Sequence, residues 1–462
     1  MEDTMNWEKL MYLGRLGDNR SNYDVVESRS ALQRDFDRIV FSSAFRRLQD
    51  KTQVFPVPAS DFVHSRLTHS IEVSSVGRTL GNMAGEFILE KHPELIEKGL
   101  MMSMFGDVVA AASLAHDVGN PPFGHSGEAA ISDYFIRREK DFKGMNLSPQ
   151  QWNDFIRYEG NAHGFRLLTN HHPEEIKGGL RLTKATLATF TKYPRESFVE
   201  VEHLVSDGIK RTSSKKFNFF QTEKNYFREV AEDVGLISLS ADEQKAMAWC
   251  RHPLSFLMEA ADNICYRLID LEDGYKLNFI DFESVEKLLK PFMLKSGDQK
   301  QALKKYDSIK DRGEKIGYLR AKAISILIYE AMDVFKANYQ DIMNGKFDSE
   351  LTDKIVSVDH LEGKIKKANI ALYNQKPVVE IEITGYKIIS GLLEIYLEAQ
   401  YNPKNSLHKK ILQMLPGQFL AQPEDSDYQK IMKTVDFIAR MSDSYALNLF
   451  RRLSGQSLPV IG

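Results

Sequence analysis

A chain of 462 residues, 42% hydrophobic and 27% charged, has the balance of a folded globular protein and the length for two or three domain-sized units. Its net charge of −3 excludes a uniformly basic nucleic-acid binder, although a near-neutral total leaves room for local basic patches. Two cysteines, Cys250 and Cys265, exclude a disulfide framework and a CxxC zinc pair.

The first residues lack the apolar stretch of a secretory leader, and no run approaches the ~18 apolar residues that span a bilayer. A cytoplasmic protein without membrane contact is therefore expected. Apolar residues at three- and four-residue spacing predict helices over Arg34–Leu48, Ser70–Leu89, Gly106–His116, Ser255–Leu271, Arg320–Met343, Tyr386–Gln400 and Tyr428–Leu453. Strand signals are confined to Thr52–Val57, as one arm of a hairpin, and Pro377–Ile383, where Val, Ile and Glu alternate. The expected fold class is all-α, with at most a short β-hairpin. No G-x-G-x-x-G or P-loop pattern occurs, which argues against a phosphate-binding α/β domain. Lys210–Lys216, KRTSSKK, reads as the most polar and mobile stretch. The charged segment Glu286–Lys315 marks a shift in character, so a catalytic core over 1–280 and a C-terminal helical region over 281–462, packing on it, are expected with a soft boundary.

Chemistry concentrates in three places. In AAASLAHDVGNPPFGHSGE, small apolar residues lead to adjacent His116 and Asp117, and Gly119, Pro121 and Pro122 then stop the helix. Ending a helix there frees both side chains for a cleft. Imidazole nitrogen with carboxylate oxygen suits one divalent ion among Mn, Mg, Fe, Co and Ni. His69 lies where a turn-rich loop enters a helix. Asp262 interrupts an apolar helical face, where a carboxylate must be paired, hydrogen-bonded or metal-bound. Asp262, Tyr266 and Asp270 recur every four residues and share one helix face. Alone, a His-Asp pair is more often structural than ligating, and the Asp262 face is also open to a salt-bridging Asp with a core Tyr.

The order H…HD…D resembles the HD-domain phosphohydrolase superfamily, an all-helical fold with a metal on those four ligands. The segments RDFDRIVFSSAFRRLQDKTQVF, RLTHSIEVSSVGR, HDVGNPPFGHSGE, EGNAHGFRLL, TKYP, FLMEAADNICYRLIDLEDG and DFIARMSDSYA resemble, in order, those of deoxyguanosine triphosphate triphosphohydrolases, the dGTPases. The resemblance implies hydrolysis of a dNTP to deoxynucleoside and inorganic triphosphate, with attack at the α-phosphorus. It implies metal ligands His69, His116, Asp117 and Asp262, with His125 handling a proton and Glu128 orienting the imidazole or sharing in the proton transfer. Lys192, Tyr193 and Lys216 match phosphate-contacting positions; Arg66, Asn120 and Asn161 offer further donors. Gln53 and Val54 match positions that meet the deoxyribose. Tyr266 is expected beneath the sugar, excluding a 2′-hydroxyl, with Asp270 accepting from the 3′-hydroxyl.

Two departures from the family pattern, His163 for an amide and Arg440 for a glycine, suggest contacts to base or effector and put guanine selectivity in doubt. Relatives form dimers assembled into rings, often hexamers, and some answer to nucleotide effectors, so a homo-oligomer is expected. Competing readings are an HD-type nucleotide phosphatase or cyclic-nucleotide phosphodiesterase, or a regulatory protein binding single-stranded DNA through KRTSSKK. The phosphate-binding motifs favour the triphosphohydrolase.

Overall fold

The structure, a computed structural model, describes residues 4–17, 29–53, 64–170, 178–205, 207–242, 245–295 and 297–457. Among them are 21 α-helices and no strand, so the chain is all-α. Extended pairing there is limited to isolated bridges, one joining Thr52 to Ser65. Residues 54–57 of the expected hairpin arm, Val54 included, lie outside the described residues. No described helix is long and apolar enough to cross a membrane.

The helices that position the site are numbered in chain order: α1 (Ala31–Phe41), α2 (Arg66–Lys91), α3 (Met102–Ala115), α4 (Gly124–Arg137), α5 (Gly160–Thr169), α6 (Lys184–Phe190), α7 (Ser255–Lys276), α8 (Arg312–Ala337), α9 (Lys376–Tyr401), α10 (Asp427–Ala439) and α11 (Asp443–Leu453). Helix α3 is apolar on nearly every side, so it takes the centre, wrapped by α1, α2, α6 and α7. Helix α2 starts on a capping box, in which Ser65 and Thr68 each accept from the other's backbone N–H.

Close packing of α2 on α3 depends on Gly77, Gly81 and Gly85, one turn apart. A Cβ at Gly81 would lie 2.7 Å from the Phe105 carbonyl oxygen, and one at Gly77 would lie 2.4 Å from Ser113 Oγ. Each glycine costs roughly 1 kcal/mol of helix propensity, which the approach of two buried helices offsets.

Three predicted helices are broken by polar residues. Ser42 ends α1 and caps a short helix, Ser43–Arg47, by accepting from Phe45 N–H at 3.1 Å. Asn338 separates α8 from Tyr339–Met343, and Arg440–Ser442 separates α10 from α11. The strand expected at Pro377–Ile383 is instead the opening of α9. Pro377 sits in the first turn, where a missing N–H costs nothing, and tertiary packing overrides the β-branched alternation. The KRTSSKK segment is tied down. Ser213 is buried and donates to Asp348 Oδ2 at 2.7 Å, and Arg211 donates to the Gly345 carbonyl at 2.9 Å.

Two apolar cores result. One joins the N-terminal residues with α2, α3, α7 and α8, and the other joins α4 with α9, α10 and α11. A cavity of about 450 Å³ takes its walls from elements of both.

Candidate active site

Four predicted ligands converge at one side of this cavity. His69 stands in the first turn of α2, His116 and Asp117 follow the end of α3, and Asp262 comes from α7. One ligand atom each of His69, His116 and Asp117 falls within a 4.8 Å cluster. Asp262 Oδ1 lies 3.3 Å from His69 Nε2 and 3.4 Å from His116 Nε2. The His116 Nδ1–H donates to the Ser113 carbonyl at 2.7 Å, so in the neutral ring Nε2 carries the lone pair. That lone pair faces two carboxylate oxygens, Asp262 Oδ1 and, at 3.6 Å, Asp117 Oδ1. Electron-rich atoms so arranged call for a cation between them, and two imidazoles with two carboxylates are the donor set of a divalent ion. The residues fit a metal centre.

Cations frame the cluster. Arg66 Nη1 donates to Asp117 Oδ2 at 2.8 Å, and Lys192 Nζ to Asp262 Oδ2 at 3.2 Å. Burial pushes both carboxyls up, but the charges of Arg66 and His116 on Asp117, and of His116 and Lys192 on Asp262, hold them well below the usual range. Both remain ionised.

Backbone geometry explains the motif between His116 and Glu128. Phe123 adopts a left-handed φ of 63°, costly for an aromatic residue, and its N–H donates to Asp443 Oδ1 at 2.9 Å. Asp443 Oδ2 also accepts from Thr52 N–H at 2.9 Å, so the start of α11 clamps two segments of the cavity wall. Gly124 follows at φ 57°, where a Cβ would come within 2.5 Å of Arg66 Nη2. A Cβ at Gly119 would lie 2.0 Å from the Gly164 backbone nitrogen, so the loop seats against α5.

The turn presents His125 with its side chain 83% exposed. His125 Nδ1 bonds Glu128 Oε2 at 2.8 Å, and Glu128 Oε1 accepts from Gly160 N–H at 2.8 Å. The bond to Glu128, and then its charge, raise the His125 pKa. Burial pushes Glu128 up, but its bond to His125, the charges of His125 and Lys216 and the Gly160 N–H together lower it. Lys216 reaches Glu159 Oε1 at 2.9 Å, and Asn161 Nδ2 donates to Glu159 Oε2 at 3.2 Å.

Most predicted site residues line this cavity: Gln53, Arg66, His116, Asp117, Asn120, His125, Glu128, Asn161, Lys192, Tyr193, Lys216, Asp262 and Tyr266. Gln53 Oε1 is buried without a hydrogen-bond partner. Asp270 stands elsewhere. It is 1% exposed and accepts a hydrogen bond from the Tyr373 hydroxyl, while Tyr373 itself lines the cavity. Burial pushes the Asp270 carboxyl up to about 7, against the Tyr373 bond. His163 is also off the wall. It is fully buried, bonding the Gly119 carbonyl at 2.9 Å and facing Asp436 at 3.4 Å, so it buttresses the loop. Arg440 packs over the Phe419 ring instead of entering the cavity.

Sequence reasoning missed another part of the wall: Tyr373, Val378, Ile381 and Glu382. The last three lie on the first turns of α9, and the expected strand had hidden their helical register.

An HD domain family model matches residues 66–196, from the cation beside Asp117 to just past Tyr193, leaving Asp262 outside. A deoxyguanosinetriphosphate triphosphohydrolase-like protein of Synechocystis sp. is 42% identical, covering 98% of this chain and 100% of its own length. One of the same description from Pseudomonas aeruginosa is 37% identical over the same shares. A deoxyguanosinetriphosphate triphosphohydrolase of Yersinia pestis is 27% identical over 93% of this chain and 95% of its own.

Proposed function

The chain belongs to the deoxyguanosinetriphosphate triphosphohydrolase-like family of HD-domain proteins, and on that premise we propose that it hydrolyses deoxynucleoside triphosphates, dGTP foremost, to deoxynucleoside and inorganic triphosphate. One observation carries the reading: His116, Asp117 and Asp262, with His69 beside them, share one cavity with the His125–Glu128 pair, three cations, Arg66, Lys192 and Lys216, and a tyrosine-lined wall.

His69, His116, Asp117 and Asp262 would hold a divalent ion, which would supply Lewis acidity when bound. The chain's residues do the rest. Arg66, Lys192 and Lys216 neutralise the phosphates, with Asn120, Asn161 and Tyr193 donating hydrogen bonds. Water attacks the α-phosphorus and the bond to the 5′ oxygen breaks. His125, its Nδ1–H held by Glu128, delivers a proton from Nε2 to that departing oxygen, leaving a free 5′-hydroxyl. Tyr266 and Gln53 hold the deoxyribose, and because Tyr373 lines the cavity and bonds Asp270, any demand of Asp270 on the 3′-hydroxyl passes through Tyr373. Val378 and Ile381 offer apolar contact to the base. Glu382 is an acceptor suited to guanine, whose N1–H and 2-amino group both donate. Homo-oligomer formation and a nucleotide effector belong to the same reading, tested by light scattering and by mixed substrates.

The test is chromatography of the products from metal-loaded protein given each dNTP singly and in mixtures. Deoxynucleoside with inorganic triphosphate is expected. Orthophosphate or pyrophosphate as the product would overturn the proposal.

A further inference from the structure

A second cavity, of about 430 Å³, lies beyond His125 and shares His125, Glu128 and Lys216 with the first. Its other walls carry Arg157, Arg195 and Lys215, and its two acids are already engaged. Glu128 holds His125 and the Gly160 N–H, and Glu159 holds Lys216. Arg157 and Arg195 spend one hydrogen bond each on a backbone carbonyl, Ser197 at 3.2 Å and Ser214 at 3.3 Å. Among the described residues, no carboxylate forms an ion pair with Arg157, Arg195 or Lys215. Burial, followed by the charge of Arg157, lowers the Arg195 pKa against a smaller opposing effect of Glu196, whose carboxylate is already paired with Lys224 at 3.2 Å. Tyr158 also lines the cavity, 3% exposed and with no hydrogen-bond partner on its hydroxyl.

Three cations without an ion pair of their own, beside two carboxylates already engaged, form an anion site. The walls do not suit a nucleobase. Both aromatic residues, Tyr158 and Phe217, are buried, so neither offers a stacking face. The ligand is therefore a polyanion without a base, entering beside the His125–Lys216 boundary.

We propose that this cavity receives the inorganic triphosphate released by the reaction, and that Arg157 and Arg195 set its affinity and hence the strength of product inhibition. The inference rests on the triphosphohydrolase reading.

The test is calorimetric titration of the full, metal-loaded chain with sodium tripolyphosphate, checking metal content before and after. Arg157→Ala/Arg195→Ala is expected to weaken binding by about tenfold or more, as loss of charge-assisted bonds implies. Lys192→Ala, which alters only the first cavity, should shift it less. Arg157→Glu, on an exposed side chain, gives the same readout should the double variant fold poorly. Tripolyphosphate affinity unchanged in the double variant, or lost only with Lys192→Ala, overturns the inference. So does selective loss of binding to a single-stranded oligonucleotide, which would assign the cations to a nucleic-acid backbone. Wild-type protein that releases triphosphate while the double variant binds tripolyphosphate normally refutes this inference alone; absence of triphosphate among the wild-type products refutes the hydrolase reading.

Discussion

The two walls of the reaction cavity are built by different means. On one side, Arg66 to Glu128 crowds charges into a short stretch of chain, each locked by a partner: Asp117 by Arg66, His125 by Glu128, His116 by the Ser113 carbonyl. On the other, Tyr373 and the first turns of α9 present a hydroxyl, two aliphatic side chains and Glu382. On the proposed function, the first wall would supply the groups that bond-breaking requires, and the second groups that fit or refuse a substrate. Substitutions on the first should therefore change turnover, and those on the second should change choice.

The largest effect is expected from His116→Ala, which leaves the proposed ligand cluster with one imidazole, His69, in place of two. Metal content, measured by mass spectrometry, should fall to background along with turnover. His125→Ala comes next, with kcat lower by ~10²–10⁴ and metal content unchanged. Unchanged turnover would remove His125 from the mechanism.

The same pair predicts a pH effect. An acid must be protonated to act, so turnover falls as pH rises through the raised His125 pKa. Glu128→Gln removes the charge that raises it, and the alkaline limb of the kcat profile should move to lower pH. A limb that stays in place would assign it to another group.

Effects on the second comparison are smaller. Tyr266→Ala should weaken discrimination against ribonucleotides by about 10–100-fold in kcat/KM ratios. Equal discrimination in the variant would end the steric-gate idea. Glu382→Gln should cost about tenfold in preference for dGTP over dATP with kcat nearly kept. A loss confined to kcat would place Glu382 with the chemistry and blur the division between walls.

That division also explains what was legible in the sequence. His116, Asp117, Gly119 and His125 form one local segment, whose turn, helix stop and glycine requirements are all short-range. Asp262 and Tyr266 were readable because an i, i+4 spacing fixes a shared helix face. The same spacing misled at Asp270. It shows which face a residue is on but not what stands in front of it, and Tyr373 arrives there from 103 residues away. Helix α9 was obscured for a related reason, because Val, Ile and Glu alternate with a strand's period while packing against α4 imposes a helix. The Gly77–Gly81–Gly85 ridge, which sets how closely α2 approaches α3, was open to reading as a four-residue repeat of small residues but gives no sign of its partner.

The most direct test of the central claim is hydrolysis of dGTP in ¹⁸O-labelled water, followed by mass spectrometry of both products. Attack at the α-phosphorus predicts the label in inorganic triphosphate and none in deoxyguanosine. Label in the 5′-hydroxyl of the nucleoside, or in orthophosphate or pyrophosphate, would contradict the assignment of the cavity's chemistry.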